Sequence, residues 1–153
     1  MRKYGIGINE GSEIEMIHKD LTDKIIACFY KVYNTLGYGF LEKVYENALV
    51  HELRKNGMQV NPQFPIRVFY DGIHVGEYFA DLLVDDTVIV ELKAATAMSS
   101  EHILQLQNYL KATNKEVGLL LNFGQQLEIR RKTFLNQDKS FINPQNPVHP
   151  VHP

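Results

Sequence analysis

The chain has 153 residues, 44% hydrophobic and 22% charged, with a formal net charge of −2 and a pI near 6.3. This length suits one domain with a single well-filled core, and no apolar run approaches the roughly 20 residues that cross a bilayer. So nearly neutral a chain cannot hold nucleic acid through overall charge, and any such binding must come from a local basic surface or from metal ions.

In chain order, residues 1–13 are expected to be a flexible N-terminal segment. The opening Met1-Arg-Lys-Tyr-Gly-Ile-Gly-Ile is basic and lacks the apolar stretch of a secretory signal. Ile14, Ile17, Leu21, Ile25, Cys28/Phe29, Val32 and Leu36 recur at three- and four-residue steps. They predict the apolar face of a helix beginning near Thr22 or slightly earlier and stopped by Gly37. The single Cys28 cannot form an intrachain disulfide, which suits a reducing, cytoplasmic setting. Its neighbours Ile25, Ile26 and Phe29 mark it as a small core residue. A second helix is expected from about Gly39-Phe40 through Leu41, Val44/Tyr45, Ala48, Leu49 and Leu53 to Asn56-Gly57.

After Pro62 the pattern turns to strands. Phe64 to Tyr70 and His74 to Val84 flank the turn Asp71-Gly72, and Asp85-Asp86 leads into Thr87-Val-Ile-Val-Glu-Leu-Lys93. Leu82-Leu83-Val84 and Val88-Ile89-Val90 are apolar at successive positions, so both faces of the sheet should be covered. Ser99 or Ser100 can cap a helix through about Ala112. Val117 to Phe123 reads as a buried strand and Leu127 to Lys132 as an alternating one. Residues 14–135 thus predict a single α/β domain, a sandwich around a mixed sheet with helices on both faces, and 136–153 a proline-rich extended tail.

Glu91 and Lys93 sit two apart on a strand and leave the same face. Asp81 lies on the preceding strand. A two-residue Asp85-Asp86 loop would put Asp81 and Glu91 on opposite faces. A three-residue loop, Asp85-Asp86-Thr87, pairs them directly, with Cβ atoms about 5 Å apart. Two carboxylates so close in an apolar sheet are costly unless a cation sits between them. All-oxygen donors suit Mg²⁺ or Mn²⁺, and no zinc-type Cys/His cluster exists. A surface hairpin carrying a solvated ion-pair patch would show the same spacing.

Asp81 followed after nine residues by Glu91-Leu-Lys93 resembles the signature of the PD-(D/E)XK nuclease superfamily, with Ala80 where the name expects Pro. Gly39-Phe-Leu-Glu42-Lys-Val-Tyr45 is similar to the motif of the bacterial GxxExxY protein family. That likeness runs from about Leu21 to Lys132 through Glu77-Tyr-Phe-Ala-Asp81, Val90-Glu-Leu-Lys93 and Gln105-Leu-Gln-Asn-Tyr109-Leu. Many relatives have His where this chain has Tyr33. The resemblance implies a restriction-endonuclease-like fold, with Glu42, Asp81, Glu91 and the Leu92 carbonyl as metal ligands for Mg²⁺ or Mn²⁺. Lys93 would serve the attacking water, and Gln105 and Tyr109 would support the site. Gly39, Glu42 and Tyr45 are expected on one side of the second helix, with Gly39 permitting close backbone approach.

The expected function is a metal-dependent nuclease acting on nucleic acid, DNA above all. The alternative is a catalytically silent nucleic-acid-binding or protein-interaction module of the same fold. Tyr45, Arg130, Arg131 and Lys132 are the candidate nucleic-acid contacts; the basic run equally suits a solvated edge strand. His18, His51, His74 and His102 share no ligand spacing and read as surface or capping residues. No membrane partner is expected, and paired cutting of two strands would call for a homodimer.

Overall fold

A computed structural model of the protein describes residues 17–139. The expected N-terminal segment 1–13, Ile14, and the tail from residue 140 onward lie outside the described residues. The apolar steps ahead of Gly37 form helix α1 (Lys19–Leu36), which buries Ile25, Cys28, Phe29 and Val32. Gly37 ends it with φ 70, its N–H donating to the Tyr33 carbonyl at 2.8 Å. Cys28 is a core residue as expected, and burial pushes its thiol pKa up.

Helix α2 (Glu42–Lys55) starts later than the apolar steps suggest. Gly39 has φ 115 and Leu41 is extended, so residues 37–41 form a loop. The expected role for Gly39 is corrected here: a Cβ on it would meet nothing within 4 Å. Glycine is needed there for its positive φ, not for close approach.

The strands are β1 (Val60–Tyr70), β2 (Ile73–Val84), β3 (Val88–Lys93), β4 (Val117–Phe123) and β5 (Leu127–Thr133), in spatial order β1-β2-β3-β4-β5. Neighbours are antiparallel except β3 and β4, which run parallel and are joined through helix α3 (Ser100–Lys111). Ser99 caps α3 reciprocally with His102, each side chain meeting the other's backbone N–H. Helices α1 and α2 cover one face of the sheet and α3 the other, giving the expected mixed-sheet α/β architecture. Under α3, Gly118 has no Cβ because one would lie 2.6 Å from Leu106 Cδ1.

The fold continues past the expected boundary at 135 into a single 3₁₀ turn, Asn136–Asp138. It is closed by Lys139, whose buried amine donates to the carbonyls of Thr113 and Lys115 and to Asn136 Oδ1. No helix among the described residues is long and apolar enough to cross a membrane.

Strand β2 pairs with β3 only through Leu82, Leu83 and Val84; the rest of it pairs with β1 alone. The β1–β2 hairpin therefore leaves the sheet as a two-stranded ribbon, with Asp71 and Gly72 at positive φ in its tip. Side-chain alternation changes phase where the ribbon departs. Leu82 and Val84 belong to the core beneath α1 and α2, whereas Ala80 belongs to the core beneath α3. Opposite Asp81, between the pairs Pro62–Leu82 and Phe64–Ala80, Gln63 adopts φ 55. Asp81 stands at this break.

Candidate active site

Between β2 and β3, Asp85 and Asp86 both take positive φ, 51 and 54, and Thr87 N–H closes the turn on the Val84 carbonyl at 2.9 Å. Thr87 is the extra residue: Val84 pairs with Val88, Leu83 with Ile89 and Leu82 with Val90. The loop thus has the three residues that bring Asp81 opposite Glu91, one step beyond the last ladder pair. No backbone rung forms there. Instead Leu92 N–H donates to Asp81 Oδ2 at 2.8 Å, and Asp81 N–H donates to Glu91 Oε2 at 2.7 Å. Each acid fills a gap in the sheet with its own side chain.

The two carboxyls pay electrostatically for this position. Burial, then Asp81, pushes Glu91 up to about 8, with Glu42 adding to the rise; the Asp81 N–H and Lys93 oppose it. Asp81 is raised by burial and by Glu46 and Glu42, against the Leu92 N–H and Lys93. On α3, Tyr109 holds its proton more tightly because it is buried and faces Glu91 and Asp81, while the Gln105 amide bonds its hydroxyl. Glu42, Asp81, Glu91, Lys93, Gln105 and Tyr109 therefore share one electrostatic neighbourhood.

They do not all converge. Glu42, the first residue of α2, is exposed, and among the described residues no three His, Cys, Asp or Glu groups gather as a metal cage. The donor chemistry still fits a hard divalent cation. One oxygen of Asp81 and one of Glu91 accepts an N–H; among the described residues the other oxygen of each takes no hydrogen bond. Two buried acids raised by burial and by neighbouring carboxylates are relieved by a positive ion between them.

Tyr45 is not available as a nucleic-acid contact. It is fully buried, stacked on Phe123 with centroids 4.5 Å apart, and its hydroxyl donates to the Gly37 carbonyl at 2.6 Å and accepts from Phe40 N–H. Apolar contact on both ring faces and a satisfied hydroxyl make it the pin between α2 and the loop before it. Arg131 is likewise turned into the fold, donating to Thr22 Oγ1 and to the Ile17 carbonyl. Arg130 leaves the opposite face of β5, is exposed, and lies 3.7 Å from Glu128; Lys132 shares its side by alternation. The basic run is split between two faces. Leu92 keeps its side chain in the core while its N–H serves Asp81. Tyr33 donates from its hydroxyl to the Gly124 carbonyl at 2.9 Å and the Gln125 carbonyl at 3.1 Å, tying α1 to the β4–β5 turn.

Two contributors went unread in the sequence. Glu46, one turn beyond Glu42, is buried, accepts from Gln63 Nε2 and Lys43, and is the largest neighbouring charge on Asp81. Asn122, fully buried, holds the segment after Lys93 by accepting from Ala95 N–H and donating to the Ala95 carbonyl and Glu128. A lone amide in the apolar run Val117–Phe123 was its available signal.

Residues 19–132 match a sequence profile of the PD-(D/E)XK nuclease superfamily. The chain belongs to this superfamily. Among solved structures, that of SSO0001 superposes with a TM-score of 0.51 at 16% identity, covering 61% of this chain and 50% of that one. An alkaline exonuclease from Laribacter hongkongensis, LHK-Exo, gives 0.44 at 17% identity, covering 60% of this chain and 55% of that one. The chain thus spans about half the length of these two proteins. At such identity the likeness to SSO0001 speaks for the PD-(D/E)XK fold alone. None of the curated proteins compared with it matches this sequence.

Proposed function

We propose that the protein is a Mg²⁺- or Mn²⁺-dependent nuclease hydrolysing phosphodiester bonds in DNA. The observation that carries this is the Asp81–Glu91 pair, held face to face by reciprocal amide bonds with Lys93 on the same strand, in a chain of the PD-(D/E)XK superfamily. The GxxExxY-like run Gly39–Tyr45 supports it by bringing Glu42 to the start of α2, within the field of both acids.

Asp81, Glu91, Glu42 and the Leu92 carbonyl are the groups that would hold the ion. When bound, such an ion acidifies a water and shields charge building on phosphorus. Lys93 orients that water and neutralises a phosphate oxygen. Tyr109, which keeps its proton, and Gln105 steady Lys93 or the phosphate. The water oxygen adds to phosphorus as the bridging P–O bond breaks, leaving a phosphomonoester and an alcohol. Arg130, beside Glu128, and Lys132 are the basic groups on the outer side of β5 that would meet the backbone.

One observation favours a module without turnover: Glu42 stays exposed and the acids do not close into a cage. Cleavage of plasmid, linear and single-stranded DNA with Mg²⁺ or Mn²⁺ separates the two. Wild type is expected to cut, and Lys93→Ala to lose about 10²- to 10³-fold in kcat. Asp81→Asn, which keeps an oxygen for the Leu92 N–H, is expected to abolish the metal response. A wild type inert on DNA and RNA, yet shifting DNA in a gel without metal, would establish the silent module instead.

A further inference from the structure

A groove of about 830 Å³ opens between α3 and the β1–β2 ribbon. Tyr70, Tyr78 and Leu104 line it; Tyr70 is 69% exposed and Tyr78 50%. Gln105 and Tyr109 also line it, and Tyr109 sits in the field of Asp81 and Glu91, so the groove borders the site through Tyr109. The Tyr78 and Tyr109 rings lie 5.9 Å apart at 47°, an aromatic pair that joins the ribbon to α3 beside the acids. Nothing in the proposed chemistry uses Tyr70, Tyr78 or the ribbon.

From this juxtaposition we propose that the groove binds single-stranded nucleic acid by stacking its bases, and leads the strand to Asp81 and Glu91. This deepens the nuclease assignment above and rests on it for the cutting step alone. Net charge is −2 and Arg131 is engaged in the fold, so overall charge does not hold a nucleic acid here and base contacts must contribute. Stacking on aromatic faces tolerates any sequence, because every base presents a π-face. It needs unpaired bases, because a duplex offers only base edges and backbone. The groove's two charged lining residues are Lys111, which can meet a passing phosphate, and Glu101.

The test is fluorescence anisotropy on the full chain in EDTA, with a labelled oligothymidylate and a blunt duplex of equal length. The single strand is expected to bind about tenfold tighter than the duplex or better. Tyr70→Ala and Tyr78→Ala should each weaken it about tenfold, and Tyr70→Phe and Tyr78→Phe should restore it. Tyr70 is so exposed that its variants carry the test should Tyr78→Ala fold poorly. Equal or tighter duplex binding, or alanine variants that bind like wild type, overturns the proposal. So does a dimer in sedimentation that Tyr70→Ala dissociates, since a second copy would then fill the groove. Protection of Tyr70 and Tyr78 by residues 140–153 in cross-linking, undisturbed by oligonucleotide, overturns it likewise. Because no metal is present, binding without cleavage in the later assay refutes the nuclease and spares the groove; duplex cutting with no single-strand binding does the reverse.

Discussion

Glu91→Gln should make the metal-free protein more stable at alkaline pH. Glutamine keeps an oxygen in place for the Asp81 N–H, now 2.7 Å from Glu91 Oε2, and removes only the charge. Burial and Asp81 raise Glu91 from its ordinary 4.5 to about 8. The folded protein therefore holds this proton more tightly than the unfolded chain. The stability this gives is complete below about pH 4.5 and is lost as pH climbs through about 8. At about 1.4 kcal/mol per pH unit, wild type should lose roughly 2 kcal/mol between about pH 6 and about pH 8. For a domain of this size that is a fall in Tm of roughly 5–10 °C. Asp81, raised by burial and by Glu46 and Glu42, acts in the same direction. Thermal unfolding in EDTA across this range should show a steep wild-type slope and a flatter one for Glu91→Gln, the curves diverging toward high pH. Adding Mg²⁺ at pH 8 should recover stability in wild type and little in the variant. Parallel curves, or a variant less stable than wild type at pH 8, would refute the strained-pair account.

Two further predictions concern parts that support the site. Asn122→Ala should strand the N–H and carbonyl of Ala95, costing about 1–3 kcal/mol in urea unfolding and lowering cleavage along with stability. Lys139→Ala should cost about 2 kcal/mol by leaving three oxygens without their donor, with metal-dependent cleavage at low temperature unaffected. Lys139 titrates lower than an ordinary lysine, near 8, chiefly through burial. The stability its variant loses should thus be level below about pH 8, where the amine is charged in both states, and grow as pH rises from about 8 toward 10.5.

Much of the fold was legible because its signals are local. Alternation, turn residues and caps located every strand and helix in order, and the pairing arithmetic around Asp85–Thr87 placed Asp81 against Glu91 through a loop of the right length. What local pattern missed depended on contacts far along the chain. Tyr45 shares a helix with Glu42, yet Phe123 stacks on it from β4 and makes it core. Arg131 reads as a free basic residue until α1 arrives to take its guanidinium. Glu46 acquires its place only through Gln63, whose left-handed backbone nothing in Pro-Gln-Phe announces. The break in alternation at Asp81 is the same kind of event: both neighbouring segments look like ordinary strand, and only the two covering cores reveal that the faces have exchanged.

The reciprocal bonds of Asp81 and Glu91 make these acids mechanical parts as well as chemical ones. Where the ribbon peels away, they are the last stitches of the seam between β2 and β3. Deleting either acid would therefore fray the sheet. The same coupling governs experiment: an alanine at either position reports on a torn seam as much as on lost chemistry, whereas the amide isosteres keep the seam's acceptors and remove the charge.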